Sequence, residues 1–438
     1  MICITSKKSI SKVGLFSLPI IASSLLQQFY TVVDSIIVGR CIGEKGIAAI
    51  GVSGSIISFL TFIIFGIGIG MTVLLSKYYG AGNQEKFGEV AETSLTCGLI
   101  FSIFISVVCF VFSKQILYLF QVKNEIFQDS KVYLCIMCIG LIFAFLYNFC
   151  NSVLLSIGNS RASFFILLYA TIINVILTYT FTAKLNMGVT GAAIASICSQ
   201  FFSVVFGVIY IKRRNLSINF NIFKLKIDTN LLFETINYSG ASAIQMLLFH
   251  GGKLIIQGII NTLEVNVIAG YSVAVQIEAF VLSALEGVAT SVSKNCAADL
   301  GEGDKDKIRE DFFAGIIVSF VYTLLIGTLI LIFSSRIVAL FVKSGNITEL
   351  SSGILYLTYM AYFYLAVSIA QILQALYRSI GRMDVAIIAT ILQMIFRIGV
   401  TFAFIKQIGV VAICYGTLMG WISMILYEGV LTYRYFKK

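Results

Sequence analysis

Residues 13–38 read VGLFSLPIIASSLLQQFYTVVDSIIV, an apolar stretch with one carboxylate, Asp34, set inside it. As an α-helix rising 1.5 Å per residue the stretch reaches about 39 Å, more than the ~30 Å of hydrocarbon in a bilayer. An ionised Asp at the bilayer centre costs about 2.5–3.5 kcal/mol on insertion scales, so such residues persist mainly where they line a path or relay protons or ions. The stretch is therefore read as a membrane span, and Asp34 as the first functional candidate.

Composition extends that reading to the whole chain. Hydrophobic residues make up 58% of the 438 residues, charged residues 12%, and the mean hydropathy is +0.96. A soluble domain carries about 25% charge, and no soluble shape hides this much apolar surface. Twelve apolar segments of spanning length centre near Gln27, Thr61, Ser102, Phe145, Ile172, Phe201, Leu248, Phe280, Thr323, Leu365, Ile395 and Gly420. The ten-residue alternation of a membrane barrel is absent. The fold class is an all-α polytopic membrane protein with twelve transmembrane helices.

Lys and Arg are enriched in cytoplasmic loops. One alternate set of loops, from Lys7 and Lys8 through Lys77, Arg161, Lys212 to Arg214, Lys224, Lys294, Lys305, Arg378 and Arg434 to Lys438, holds most of them. The other set, with Arg40, Lys45, Lys184, Lys343 and Lys406, holds fewer. Both termini are thus expected in the cytoplasm, with the first helix retained rather than cleaved as a signal. The net charge of +10 follows this bias and suits anionic headgroups. Spread over many short loops, it argues against nucleic acid as a partner. Cys135 and Cys138 form a CxxC without a second pair, and free thiols in apolar segments behave as small hydrophobes. Gly66, Gly68 and Gly70 lie inside a helix, where small residues serve packing rather than phosphate binding. His250, the one histidine, is read as packing. No Walker-type loop or nucleophile triad is present, so neither ATP-driven pumping nor enzymatic hydrolysis is expected.

The chain repeats itself. Ser76-Lys77-Tyr78-Tyr79-Gly80-Ala81-Gly82 after the second span matches Ser293-Lys294-Asn295-Cys296-Ala297-Ala298-Asp299 after the eighth. Ser156-Ile157-Gly158 after the fourth matches Ser379-Ile380-Gly381 after the tenth. Two six-helix repeats are expected: 1–211, a linker 212–237, and 238–438. An even number of spans per repeat gives two lobes of the same orientation, an arrangement of alternating-access carriers.

Several motifs, in order along the chain, carry a resemblance. Pro19, Gln27, Tyr30, Val33-Asp34, Val38-Gly39 and Gly80-Ala81-Gly82 stand in the first two spans, and Ile173-Asn174-Val175 with Gly188-Val189-Thr190-Gly191-Ala192-Ala193 in the fifth and sixth. Val267-Ile268-Ala269-Gly270-Tyr271 and Gln276-Ile277-Glu278 stand at the seventh and eighth. Together they resemble the multidrug and toxic compound extrusion (MATE) transporters of the MOP superfamily, most closely the bacterial DinF-like branch. The resemblance implies cation coupling at Asp34, Asn174, Thr178 and Ser196, and a substrate cavity touching Gln27, Tyr30, Asn151, Gln276 and Glu278. It also implies bending of the first span, for which Pro19 is the candidate hinge. DinF-like members carry a second acid four residues after the fifth-span Asn; here that position is Thr178, leaving one carboxylate and a hydroxyl. H⁺ and Na⁺, the latter near Asp34, both stay open as the coupling ion.

Lys253, Glu278, Glu286 and Arg397 also fall inside apolar segments. Two charges of each sign balance, the cheapest way to keep them in a membrane, so they are read as an ion network. The function expected from the resemblance is a monomeric secondary antiporter in a bacterial cell membrane. It would export cationic amphipathic small molecules in exchange for H⁺ or Na⁺ without a cofactor. The alternative is a flippase of the same superfamily moving a lipid or lipid-linked oligosaccharide.

Overall fold

In a computed structural model, residues 6–213, 225–339 and 347–437 are described. The middle of the expected linker, with Arg214 and Lys224, and also Lys343 and Lys438, lies outside the described residues. The described chain is built from helices: α1 (Lys7–Gly80), α2 (Gln84–Val111), the short α3 (Ser113–Leu119), α4 (Asn124–Ser156), α5 (Ser160–Tyr179), α6 (Gly188–Arg213), α7 (Thr229–Ile260), α8 (Val265–Glu302), α9 (Lys305–Ala339), α10 (Ile347–Ser379), α11 (Met383–Ile408) and α12 (Val411–Lys437). A π-helical turn at Thr180–Lys184 ends α5.

The first two spans are joined without a loop. α1 runs for 74 residues, about 111 Å as a straight helix, far more than a bilayer's 40–45 Å including headgroups. Its single interruption is Gly43, at φ 80 and ψ −176, a backbone region that is essentially glycine-only. The break divides α1 into two spans, so the eleven spanning helices among the described residues make twelve crossings. Arg40 and Lys45, expected in a loop, stand in helix on either side of it.

The internal repeat is visible in the helix ends. Gly82 (φ 65) and Gly303 (φ 77) turn the chain after the second and eighth spans, and Gly158 (φ 86) and Gly381 (φ 76) after the fourth and tenth. Asn83 Oδ1 accepts from the Lys86 backbone N–H at 3.0 Å to cap α2, and Asp304 Oδ1 accepts from Lys307 N–H at 3.0 Å ahead of α9. Such caps satisfy donors left free in a helix's first turn. The Lys307 backbone N–H holds the Asp304 carboxyl below the usual carboxylate range. The sequence matched Asp299 to Gly82; the structure places the turn four residues later, at Gly303, so α8 runs about one turn further past the matched Ser-Lys pair than the second span of α1 does.

Packing divides the chain into two compact units: 1–24 with 247–438, and 25–246. The borders fall inside α1 and α7, not at the linker between the expected repeats. In the first unit the opening of α1 is bound by polar contacts. Lys12 Nζ reaches Asp311 Oδ2 at 2.8 Å and Asp299 Oδ1 at 3.5 Å, Ser9 Oγ donates to Glu310 Oε2 at 3.0 Å, and Ser291 Oγ donates to the Val13 carbonyl at 3.0 Å. A Cβ added to Gly287 would stand 3.1 Å from the Ile21 backbone nitrogen. The second unit has the matching arrangement with the opening of α7. There Glu234 accepts from Lys77 Nζ at 2.8 Å and from Tyr78 OH at 2.6 Å. Cβ atoms added to Gly66 and Gly70 would stand 2.7 Å from Ala243 Cα and 2.3 Å from the Tyr238 carbonyl oxygen. These glycines let two backbones approach, the packing role expected of them.

The first unit's apolar core runs through α7, α8, α9, α10, α11 and α12 around the fully buried Tyr356 and Tyr364.

Candidate coupling site

α1 presents Tyr30 and Asp34 one turn apart, both half-buried, because residues four apart share a helix face. α4, α5 and α6 supply the other walls. The Thr178 hydroxyl on α5 is the hydrogen-bonding group that faces the Asp34 carboxylate, and Tyr133 on α4 faces the same carboxylate. The Tyr30 hydroxyl faces Ser196 and Asn174. Asn174, Thr178, Ser196 and Tyr133 are all buried, Thr178 completely.

The hydrogen bonds fix how much of this set is free. Asn174 Nδ2 donates to Ser199 Oγ at 3.0 Å, and Ser199 Oγ donates to the Ser196 carbonyl at 2.8 Å. Thr178 Oγ1 lies 3.3 Å from Asn174 Oδ1 and donates to it in this arrangement. A hydroxyl has one proton to give, so Thr178 serves either Asn174 or Asp34. Asp34 Oδ1 is buried and lacks a hydrogen-bond partner. None of the ion pairs within 4.0 Å among the described residues includes Asp34. The result is one carboxylate, with a vacant oxygen, among neutral oxygen-bearing side chains. Such a site takes one proton or one small cation.

The other expected residues fall elsewhere. Asn151 Oδ1 accepts from the Ser163 hydroxyl on α5. Gln27 and Gln276 are exposed, whereas Glu278 is buried and accepts from Tyr356 OH at 2.9 Å. Gln276 and Glu278 therefore face different surroundings. Pro19 stands within α1 without a break in the helical torsions, and Ser23 Oγ donates to its carbonyl at 2.9 Å.

Lys253, Glu278, Glu286 and Arg397 do face one another: Lys253 interacts with Arg397, Glu278 and Glu286. None of the four makes an ion pair within 4.0 Å among the described residues. The set is also larger than the sequence indicated. Arg378, assigned to a loop because a Ser-Ile-Gly turn follows it, is buried near the end of α10, where it faces Glu286 and Glu428. Tyr133 and Ser199 were missed at the Asp34 site. Ser199 lies three residues after Ser196 and so shares its helix face, the one signal that pointed to it.

Twelve crossings, an internal repeat and a polar site buried inside one half define a polytopic carrier. The MatE family model matches residues 19–180 and 241–403. The chain belongs to this family of multidrug and toxic compound extrusion transporters and is not an enzyme. A probable multidrug resistance protein of Bacillus subtilis, YoeA, is 26% identical over 86% of this chain and 84% of its own length. A probable multidrug resistance protein NorM of Thermotoga maritima is 21% identical over 96% and 90%. A solved structure described as the outward-facing conformation of a multidrug resistance MATE family transporter of the MOP superfamily superposes with a TM-score of 0.91 at 19% identity, over 97% of this chain and 96% of that one.

Proposed function

We propose that the protein is a secondary active multidrug efflux antiporter, exporting cationic amphipathic molecules in exchange for H⁺ or Na⁺, with Asp34 as the coupling group. The observation that carries this reading is the buried, unpartnered Oδ1 of Asp34 in a site where, among the described residues, no cation faces it. A carboxylate in apolar surroundings gains from a proton or a cation. Thr178 supplies a hydroxyl where a second acid would allow a shared proton, so the site moves at most one charge per cycle. Uptake neutralises Asp34 and lets α1 draw toward α5 and α6; loss restores the charge and its need for water. Pro19 lacks the backbone N–H that an interior helix residue supplies, and the border between the packing units follows it at Ser24. Both features favour that part of α1 as the place where bending occurs. The named relatives support the drug-like substrate class, and the Lys and Arg bias supports cytoplasmic termini.

Reconstituted liposomes test the reading. Wild type is expected to drive ethidium-like dye against its gradient under an imposed pH or sodium gradient, and Asp34→Asn to lose that coupling. Unchanged transport by the variant sinks the proposal. A protein that ignores the dye and moves fluorescent lipid is instead the flippase.

A further inference from the structure

Glu428 on α12 is fully buried, and neither carboxylate oxygen has a hydrogen-bond partner. Arg378 on α10 faces it, is itself 6% exposed, and has an unpartnered Nε. Arg378 also faces Glu286 on α8. Beyond Glu286 stands Lys253 of α7, which faces Glu278 of α8 and Arg397 of α11, with His250 one turn away on its own helix. The Tyr377 hydroxyl of α10 donates to the Glu428 backbone carbonyl at 3.0 Å, and so does not satisfy the carboxyl. No charged group of α9 faces Glu428 or Arg378.

A structural ion pair is expected to close to about 2.7–2.9 Å with hydrogen bonds on both sides. Here none of the ion pairs within 4.0 Å among the described residues includes Glu286, Arg378 or Glu428. Arg stays charged in proteins, and an ionised carboxylate without a donor is costly in a dry interior. One guanidinium faces two acids. Glu286 also faces a second cation, Lys253, whereas among the described residues Glu428 faces Arg378 alone. Glu286 is therefore the ionised partner of Arg378, and Glu428 is the acid left without a counter-ion.

We propose that Glu428 is a second proton-binding site, in the C-terminal half, with Arg378 as its positioning residue and Glu286 as the competing acid. On uptake a proton from water bonds to a Glu428 oxygen and Arg378 leans to Glu286. On release the O–H bond breaks, the proton returns to water, and Arg378 swings to the new carboxylate while Lys253 holds Glu286. The proposal deepens the antiport reading and rests on it for its role in transport, but its chemistry does not involve Asp34.

The full chain in lipid nanodiscs, followed by infrared difference spectroscopy from acid to alkaline pH, tests it apart from transport. In an Asp34→Asn background a protonated-carboxyl band is expected that disappears on alkalinisation. Glu428→Gln is expected to remove it, and Glu428→Asp to retain it at a shifted frequency, which controls for folding. Glu286→Gln frees Arg378 for Glu428, so the band is expected to titrate at a lower pH. A titrating band that survives Glu428→Gln, or one indifferent to Glu286→Gln, overturns the assignment. If dye transport is unchanged in Asp34→Asn while the Glu428 band behaves as stated, the coupling role of Asp34 fails and this site stands.

Discussion

On the proposed reading, Asp34 and Thr178 together set the charge that the N-terminal site can move. Replacing Thr178 by Asp puts a second carboxylate beside the first, and a like charge raises the upper apparent pKa of a carboxyl pair. The sign follows: the shared proton is held to higher pH, so the pH at which transport loses its proton-dependent step rises. We expect the pH profile of dye efflux by Thr178→Asp to move up by about one unit or more, with a second proton per cycle in gradient titrations. An unmoved profile means that Thr178 does not face Asp34 as described. Asp34 was legible in sequence because a charge in an apolar run is conspicuous. Tyr133 was not, since one tyrosine among 21 carries no mark of which helix it faces. Arg378 misled for a related reason: hydropathy places a residue near a span's end but does not say whether neighbouring helices cover it. Glu428, fully buried by α10 and its neighbours, was overlooked for the same cause.

Within single elements, length and apolar character were readable, while breaks and close approaches depended on backbone geometry. Gly43 interrupts α1 where the sequence suggested a loop between two helices, because a glycine at φ 80 bends the chain without leaving the helical frame on either side. Gly70 is a sharper case, since its Cβ would meet the Tyr238 carbonyl oxygen at 2.3 Å. Gly70→Val overpacks α1 against α7 and is expected to cost about 1–3 kcal/mol, read as a drop of several degrees in the thermal midpoint of the detergent-solubilised protein. Gly51, with nothing near its missing Cβ, is the control: Gly51→Ala should hold or slightly raise the midpoint, as helix propensity favours Ala. A Gly70→Val midpoint equal to wild type contradicts the close approach. The opening of α1 offers an electrostatic counterpart. Lys12 is 46% exposed at its side chain, so its own contribution is screened, but Asp311 beneath it is 2% exposed and loses its counter-charge without it. Lys12→Glu is expected to destabilise, and Lys12→Glu with Asp311→Lys to recover part of the loss. A double-mutant cycle should give a coupling of about 0.5–3 kcal/mol, and zero coupling shows the contact to be incidental.

Across the whole molecule the twofold repeat was the most legible feature, since the Ser-Ile-Gly turns and the paired Ser-Lys motifs survive in the sequence. What the repeat did not disclose is that packing redistributes its first helices. Residues 1–24 group with the second half of the chain, and the opening of α7 groups with the first. Such exchange arises from pairs distant in sequence, Lys12 with Asp311 and Lys77 with Glu234, and no local pattern signals them. The count of crossings has its own consequence. With α1 crossing twice around Gly43 and ten further spans after it, both termini lie on one side and the Gly43 break on the other. Cys41 is exposed beside that break, which makes it a native reporter. In a variant whose other cysteines are replaced by Ser or Ala, a membrane-impermeant maleimide added to intact cells should label Cys41. A cysteine placed at Ser6 should react only in inverted vesicles. Labelling of both positions from the same side breaks the division of α1 into two spans; labelling of each from the side opposite to that expected keeps the division and reverses the orientation read from the Lys and Arg bias.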